Sequence, residues 1–339
     1  MPEVPPRFQL TRMISSVWIP QAIAAAAKLG VLDALSAGPK ASEAVAREAK
    51  TDPGATHRLL RALATLELVT HGADGAFALT PLGRALTADA PDSVRSWALL
   101  WGGPMMWEAW GALAECVRTG ESAPRLCFGV PSSFEMMERF PDDAAHFNRS
   151  MLELTRGIAA VLPAAYDFRG ARTVVDVGGG FGGLLPPLLR ANPTLSGVVY
   201  DLPRCADGAR ALLEREGLAA RCRFEGGDFF VSVPGGADVY LLKSVIHDWN
   251  DLRARAILER CRDALAGDAK LLVLEWPIAE RATPADVGIA GVDLNMLVAV
   301  GGVERTLEEY RALLASAGLR VTRILPTPAG MHVIEAVRA

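Results

Sequence analysis

Five apolar runs beyond residue 172 each finish on a polar or ionisable side chain, and this regularity constrains the fold more than any other feature of the chain. "TVVD" ends on Asp176, "GVVYD" on Asp201, "CRFEGGD" on Asp228, "DVYLLK" on Lys243 and "KLLVLE" on Glu275, with helix-patterned stretches between them. Short β-branched runs alternating with helices predict an α/β fold, a Rossmann-like doubly wound sheet. Ligands of such sheets lie beyond the carboxyl ends of the strands. A single terminal Asp would be read as a turn former or a helix cap. Five chemically active ends along one edge outline a site.

The first run leads into a glycine cluster, "VVDVGGGFGGLL", in which Gly178, Gly180 and Gly183 satisfy G-x-G-x-x-G. Glycines after a strand let backbone approach a nucleoside or phosphate closely. NAD and S-adenosylmethionine both fit that description, and Asp201, at the end of the second run, suits the ribose hydroxyls of either. Three features favour the methyl donor. Asp176 precedes the cluster by two residues, and a pyrophosphate is a poor neighbour for a further carboxylate. "GGDFF" supplies Asp228 to accept from an adenine amine and Phe229 to pack on the ring. No second glycine fingerprint or separate dehydrogenase domain follows.

Composition narrows the function classes. The chain has 339 residues, half of them hydrophobic, and a net charge of −4. The charge gives no electrostatic reason to expect nucleic acid. The five cysteines (Cys116, Cys127, Cys205, Cys222 and Cys261) include no C-x-x-C pair, so neither a zinc site nor a disulfide framework is supported. "MPEVPPRFQLTRM" lacks the order of a signal peptide, and Val17–Ala27, broken by Pro20 and Gln21, is too short to cross a bilayer. A cytoplasmic protein without membrane partners is expected.

Residues 1–95 read as helices followed by a small hairpin at Asp74-Gly75, a winged-helix-like unit. Asp52 is a plausible cap and Pro53 a first helical residue there. Only Arg58 and Arg61 stand on the helix that would read DNA, so packing is the better reading of it. Residues 96–165 are helical and rich in Met and Trp ("WALLWGGPMMWEAW", "SSFEMMERF", "FNRSMLEL"). Such stripes suit a core or a pocket for a flat organic substrate equally, with Met106 and Trp107 as candidate contacts. Residues 166–339 carry the Rossmann-like core.

"VVDVGGGFGGLL", "YDLP", "GGDFF", "LLKSVIHDWND", "LEWPI" and "GGVERTLEEYRALLASAGL" occur in the order and spacing of the caffeate-type, class I small-molecule O-methyltransferases, which the chain resembles over nearly its whole length. The family includes bacterial tailoring enzymes of antibiotic pathways. The resemblance implies methylation of a phenolic hydroxyl on an aromatic small molecule, with S-adenosylmethionine consumed, S-adenosylhomocysteine released and no metal required. It implies a homodimer formed through the amino-terminal unit. Its cofactor residues fall on Gly178, Asp201, Asp228, Phe229, Lys243 and Thr155. Its general base falls on His247, flanked by Glu275 and Glu304, although Glu304 is also read as an acid favouring the helix that starts near Thr306. Met151 falls where the family sets a methionine against the substrate ring, and Asp248 and Asp293 are further polar neighbours counted among the substrate contacts. "WGGPMMWEAW" and "FGVPSSFEMM" depart from the plant pockets, so the phenylpropanoid substrate does not carry over. Phe181 replaces a residue that is often a small hydroxyl one. The rival readings are an NAD-dependent oxidoreductase, a DNA-binding regulator, and a relative that hydroxylates or decarboxylates with the same cofactor.

Overall fold

The computed structural model describes residues 4–339. They divide into two compact units, one reaching Glu108 and including Met137–Glu153, the other made of Ala109–Met136 and Leu154–Ala339. The Met- and Trp-rich stretch is therefore shared between them. Among the described residues no helix is long and apolar enough to cross a membrane.

In the first unit, β1 (Val69–His71) and β2 (Phe77–Leu79) form an antiparallel hairpin. Asp74 Oδ1 accepts from Ala76 N across its turn, and Lys40 pairs with Phe77 on the outer side. The helix Pro53–Thr65 opens as its sequence dictates: Asp52 Oδ1 accepts from Ala55 N at 2.7 Å, and Pro53 stands where no N–H is needed. Leu60 and Leu63 from that helix join Val45 and Phe77 in a closed core. The helix Pro6–Ser15 buries none of its residues, and Phe8, Leu10, Met13, Ile14 and Trp18 are exposed.

The second unit contains a seven-stranded sheet. Its members are β3 (Thr173–Val177), β4 (Ser196–Asp201), β5 (Cys222–Gly226), β6 (Val239–Lys243), β7 (Lys270–Glu275), β8 (Leu319–Pro326) and β9 (His332–Arg338). They lie in the order β5-β4-β3-β6-β7-β9-β8, parallel through β7 and antiparallel at β9 and β8. Both faces are covered. Val175, Val177, Tyr240 and Leu242 pack on one side with residues of the helices Asp251–Ala264 and Leu307–Ser316. Val174, Leu241 and Leu272 pack on the other with Leu162 and Leu188. Burial of alternate residues on opposite faces explains why these strands read as unbroken apolar runs. The strand order reverses between β3 and β6, and a doubly wound sheet opens its ligand crevice at such a point.

Candidate active site

The carboxyl ends of β3, β4, β6 and β7 deliver the residues that the sequence singled out. β3 runs into Gly178, whose φ of +71° belongs to the left-handed region. A Cβ there would lie 2.8 Å from Val245 Cγ2 and 3.5 Å from Phe229 Cε1, so only glycine brings backbone to this spot without displacing Val245. Asp201 ends β4 and ties the glycine loop to its strand: Oδ2 accepts from Gly180 N at 2.7 Å and Oδ1 from Leu202 N at 2.6 Å. Its carboxylate is half-buried and has lone pairs to spare for a diol. Asp228 is exposed, accepting from Phe230 N at 2.8 Å, and the neighbouring Phe229 ring is half-buried beside Gly178.

One step of the sequence argument changes. Asp176 is 2% exposed and sits behind the loop it precedes, where a Cβ on Gly179 would fall 2.7 Å from its Oδ2. Its carboxylate interacts electrostatically with Lys243 and Asp201. Burial pushes its carboxyl up to about 7, against the pull of Lys243 and with a push from Asp201. Burial likewise lowers the Lys243 ammonium, opposed by Asp176, Glu275 and Asp248. Thr155 is buried in the helix Pro141–Ala165.

Past β6 the chain makes an abrupt turn. Ser244 takes a φ of +51°, an unfavourable conformation for a residue with a Cβ, and a single 3₁₀ turn, Ile246–Asp248, follows. Glu275, fully buried at the end of β7, holds that turn: its Oε1 accepts from the backbone N–H groups of Val245 at 3.2 Å, Ile246 at 3.0 Å and His247 at 3.4 Å. His247 is thereby presented with Nδ1 2.6 Å from Glu304 Oε1 and 3.7 Å from Glu275 Oε2. Nε2 makes no hydrogen bond among the described residues and lies 3.6 Å from Asp248 Oδ1.

Burial works against the imidazolium, but Glu275, the Glu304 hydrogen bond and Asp248 outweigh it and raise His247 to about 10. The same enclosure raises Glu275 to about 7 and Asp248 to about 6. Donor atoms of His247, Glu275 and Glu304 lie within 4.8 Å of one another, a grouping also seen at metal sites. Two ligands of one tetrahedral ion, bound at about 2.0–2.2 Å, stand roughly 3.3 Å apart. The 2.6 Å Nδ1–Oε1 separation is that of a charge-assisted hydrogen bond.

Glu304 does not start the following helix. Thr306 and Glu309 cap it reciprocally, Glu309 N donating to Thr306 Oγ1 at 3.2 Å and Thr306 N to Glu309 Oε2 at 2.8 Å. Glu304 is left free to face His247. Asp293 accepts from Glu304 N at 2.9 Å, so it holds this acid's backbone. A cavity of about 230 Å³ lies beside the turn, lined in part by Asp248, Trp249, Ser122, Glu135 and Arg253. Met106, Trp107 and Met151 belong to the first unit, where Met106 is buried, Trp107 is exposed and Met151 is half-buried.

A family model described as an O-methyltransferase domain matches residues 110–320, and one described as an O-methyltransferase dimerisation domain matches residues 11–89. The chain belongs to the O-methyltransferase family. Phenazine O-methyltransferase PhzM of Lysobacter antibioticus is 37% identical to this methyltransferase over 335 residues, 98% of this chain and 96% of that one. The mitomycin biosynthesis 6-O-methyltransferase of Streptomyces lavendulae is 40% identical over 329 residues, 96% and 93% of the two chains. The crystal structure of NcsB1, an O-methyltransferase from neocarzinostatin biosynthesis in complex with S-adenosylmethionine and 2-hydroxy-5-methyl naphthoic acid, matches with a TM-score of 0.81 at 33% identity, covering all of both chains. Membership decides between the two adenosine ligands: the methyltransferase uses S-adenosylmethionine. The crevice fits that molecule, because a half-buried carboxylate, a left-handed glycine and an aromatic ring converge on an edge rich in acids.

The sequence reading missed the residues that fix the turn. Arg305, Gly302 and the backbone-holding role of Asp293 passed unremarked. "GGVERT" shows an arginine after an acid with a glycine pair just ahead, but the burial of both came only with the fold.

Proposed function

We propose that this methyltransferase methylates a phenolic hydroxyl of an aromatic small molecule in a bacterial secondary pathway, with His247 as general base. The observation that carries the reading is the buried imidazole fixed through Nδ1 by Glu304, with Nε2 making no hydrogen bond among the described residues and lying 3.6 Å from Asp248 Oδ1. S-adenosylmethionine, when bound, supplies an electrophilic methyl group on a positively charged sulfur. Gly178, Asp201, Asp228, Phe229, Lys243 and Thr155 are the residues we assign to hold it. Met106, Trp107, Met151, Asp248 and Asp293 remain the proposed contacts on the acceptor side.

Nε2 accepts the phenolic proton. A phenol near ~10 facing an unperturbed histidine near ~6.5 would make that transfer uphill by about 5 kcal/mol. Glu275 and the Glu304 hydrogen bond raise the imidazolium to about 10, which brings the two proton affinities level and leaves the neutral imidazole a minor form below that pH. General-base assistance of this kind contributes about 10²–10⁴-fold. Alignment of the reactants contributes more, roughly 7–11 kcal/mol. The aromatic acceptors in the relatives' names support the substrate class. The exposed Met13 and Ile14 of the helix Pro6–Ser15, at the start of the stretch 11–89 matched by the dimerisation model, support a homodimer formed through this face.

The test is a screen of polyphenolic acceptors with S-adenosylmethionine. The mass gain identifies methylation, and the chemical shift of an isotope-labelled methyl distinguishes oxygen from nitrogen as acceptor. On the best acceptor, His247→Gln is expected to lower kcat at least about tenfold with the affinity for S-adenosylhomocysteine nearly unchanged. Wild-type turnover in that variant would remove the base assignment.

A further inference from the structure

The turn that presents His247 is fastened to the segment carrying Glu304 by a set of contacts that neither side chain makes. Gly302 passes so close to this turn that a Cβ would fall on the His247 carbonyl oxygen and the Asp248 backbone. Val303 N donates to His247 O at 2.9 Å. Arg305, 2% exposed, then spreads its guanidinium across the turn. Nη1 donates to Ile246 O and Val303 O, both at 3.2 Å, and Nη2 donates to Trp249 O at 2.8 Å. Nε and Nη2 both reach Asp251 Oδ1, at 3.0 and 2.8 Å, at the start of the helix that follows. Glu304 lies between Val303 and Arg305, so its reach to Nδ1 is set by anchors on either side.

We propose that Arg305 is the positioning residue of this site, a planar cation that sets the distance and angle at which the His247 ring meets Glu304. The proposal rests on the reading of His247 as base. Burying a guanidinium is costly even when it is paired. An apolar residue would fill the space more cheaply, but it could not join three carbonyls to a carboxylate in one plane. Lysine keeps the charge and lacks the fork. The charged groups facing His247 are Glu275 from β7, Asp248 within the turn, with Lys243 beyond it, and Glu304. Of these, Glu304 alone comes from the segment that Arg305 fastens.

Arg305→Lys is the test. Expected are a loss of about tenfold in the high-pH plateau of kcat, KM for donor and acceptor within about twofold, and an acid limb of the kcat–pH profile moved about one unit lower, since a loosened Glu304 supports the imidazolium less. In a His247→Gln background the same substitution is expected to change kcat less than about twofold, because no base remains to position. Asp251→Asn alters an exposed partner while sparing the carbonyl contacts, and is expected to give a smaller loss with the limb moved the same way. Calorimetry with S-adenosylhomocysteine verifies that each variant is folded. Wild-type kcat and limb in Arg305→Lys would overturn the proposal, as would an equal loss with and without His247. The His247→Gln single variant separately reports whether the base reading stands.

Discussion

Replacing Glu304 by Gln keeps an oxygen within reach of His247 Nδ1 and removes the charge. The contact is 2.6 Å long and fully buried, a charge-assisted hydrogen bond worth about 1.5–3 kcal/mol. At about 1.36 kcal/mol per pKa unit, its loss lowers the imidazolium by roughly one to two units from about 10. Proton transfer from a phenol, level in the wild type, becomes uphill by the same energy. If half to all of it is felt in the transition state, kcat at high pH falls about threefold to a hundredfold. The acid limb moves in the opposite sense, because a less basic imidazole stays deprotonated to lower pH. The two effects together predict that the loss is larger at pH ~9 than at pH ~6. Single-turnover rates with saturating S-adenosylmethionine from pH ~6 to ~11 read both the limb and the plateau. A lower plateau with an unmoved limb would refute the reasoning, since Glu304 would then support the rate without setting the base's proton affinity.

Asp201→Ala is expected to weaken S-adenosylhomocysteine binding at least about tenfold by calorimetry, through lost acceptors and a freed glycine loop, since Gly180 N loses its 2.7 Å partner. Unchanged affinity would move the ribose away from β4. Placing Glu at both Met13 and Ile14, which are 71% and 69% exposed, is expected to halve the mass seen by light scattering without lowering the melting temperature of the subunit. An unchanged mass would put the interface elsewhere.

β3, β4, β6 and β7 were legible because they are buried on both faces, and full burial writes itself as apolar runs. Their active ends were legible because a polar group at the end of such a run has few structural uses. The cap at Asp52 and the turn at Asp74-Gly75 were legible because their chemistry is local. The burial of Asp176 was not legible, because sequence spacing marks it as near a ligand edge but carries nothing about how far its carboxyl is enclosed. Arg305 escaped because its partners are three backbone carbonyls and one acid, as many as 59 positions away, and carbonyls have no identity in a sequence.

The two acids beside His247 divide one task by geometry. Glu275 spends Oε1 on three backbone N–H groups, so its first effect is to fix where the turn begins; its charge reaches the ring only from 3.7 Å. Glu304 takes the ring directly, and its own backbone is held by Asp293 and flanked by the Arg305 clamp. A short buried contact is strong only while both partners stay in register, since an imidazolium facing a displaced carboxylate would bear its desolvation cost without return. The number of contacts given to backbone around the turn, from Glu275 on one side and from Val303 and Arg305 on the other, follows from that condition. The base is strong because its surroundings are rigid, and that rigidity comes from residues that never touch the ring.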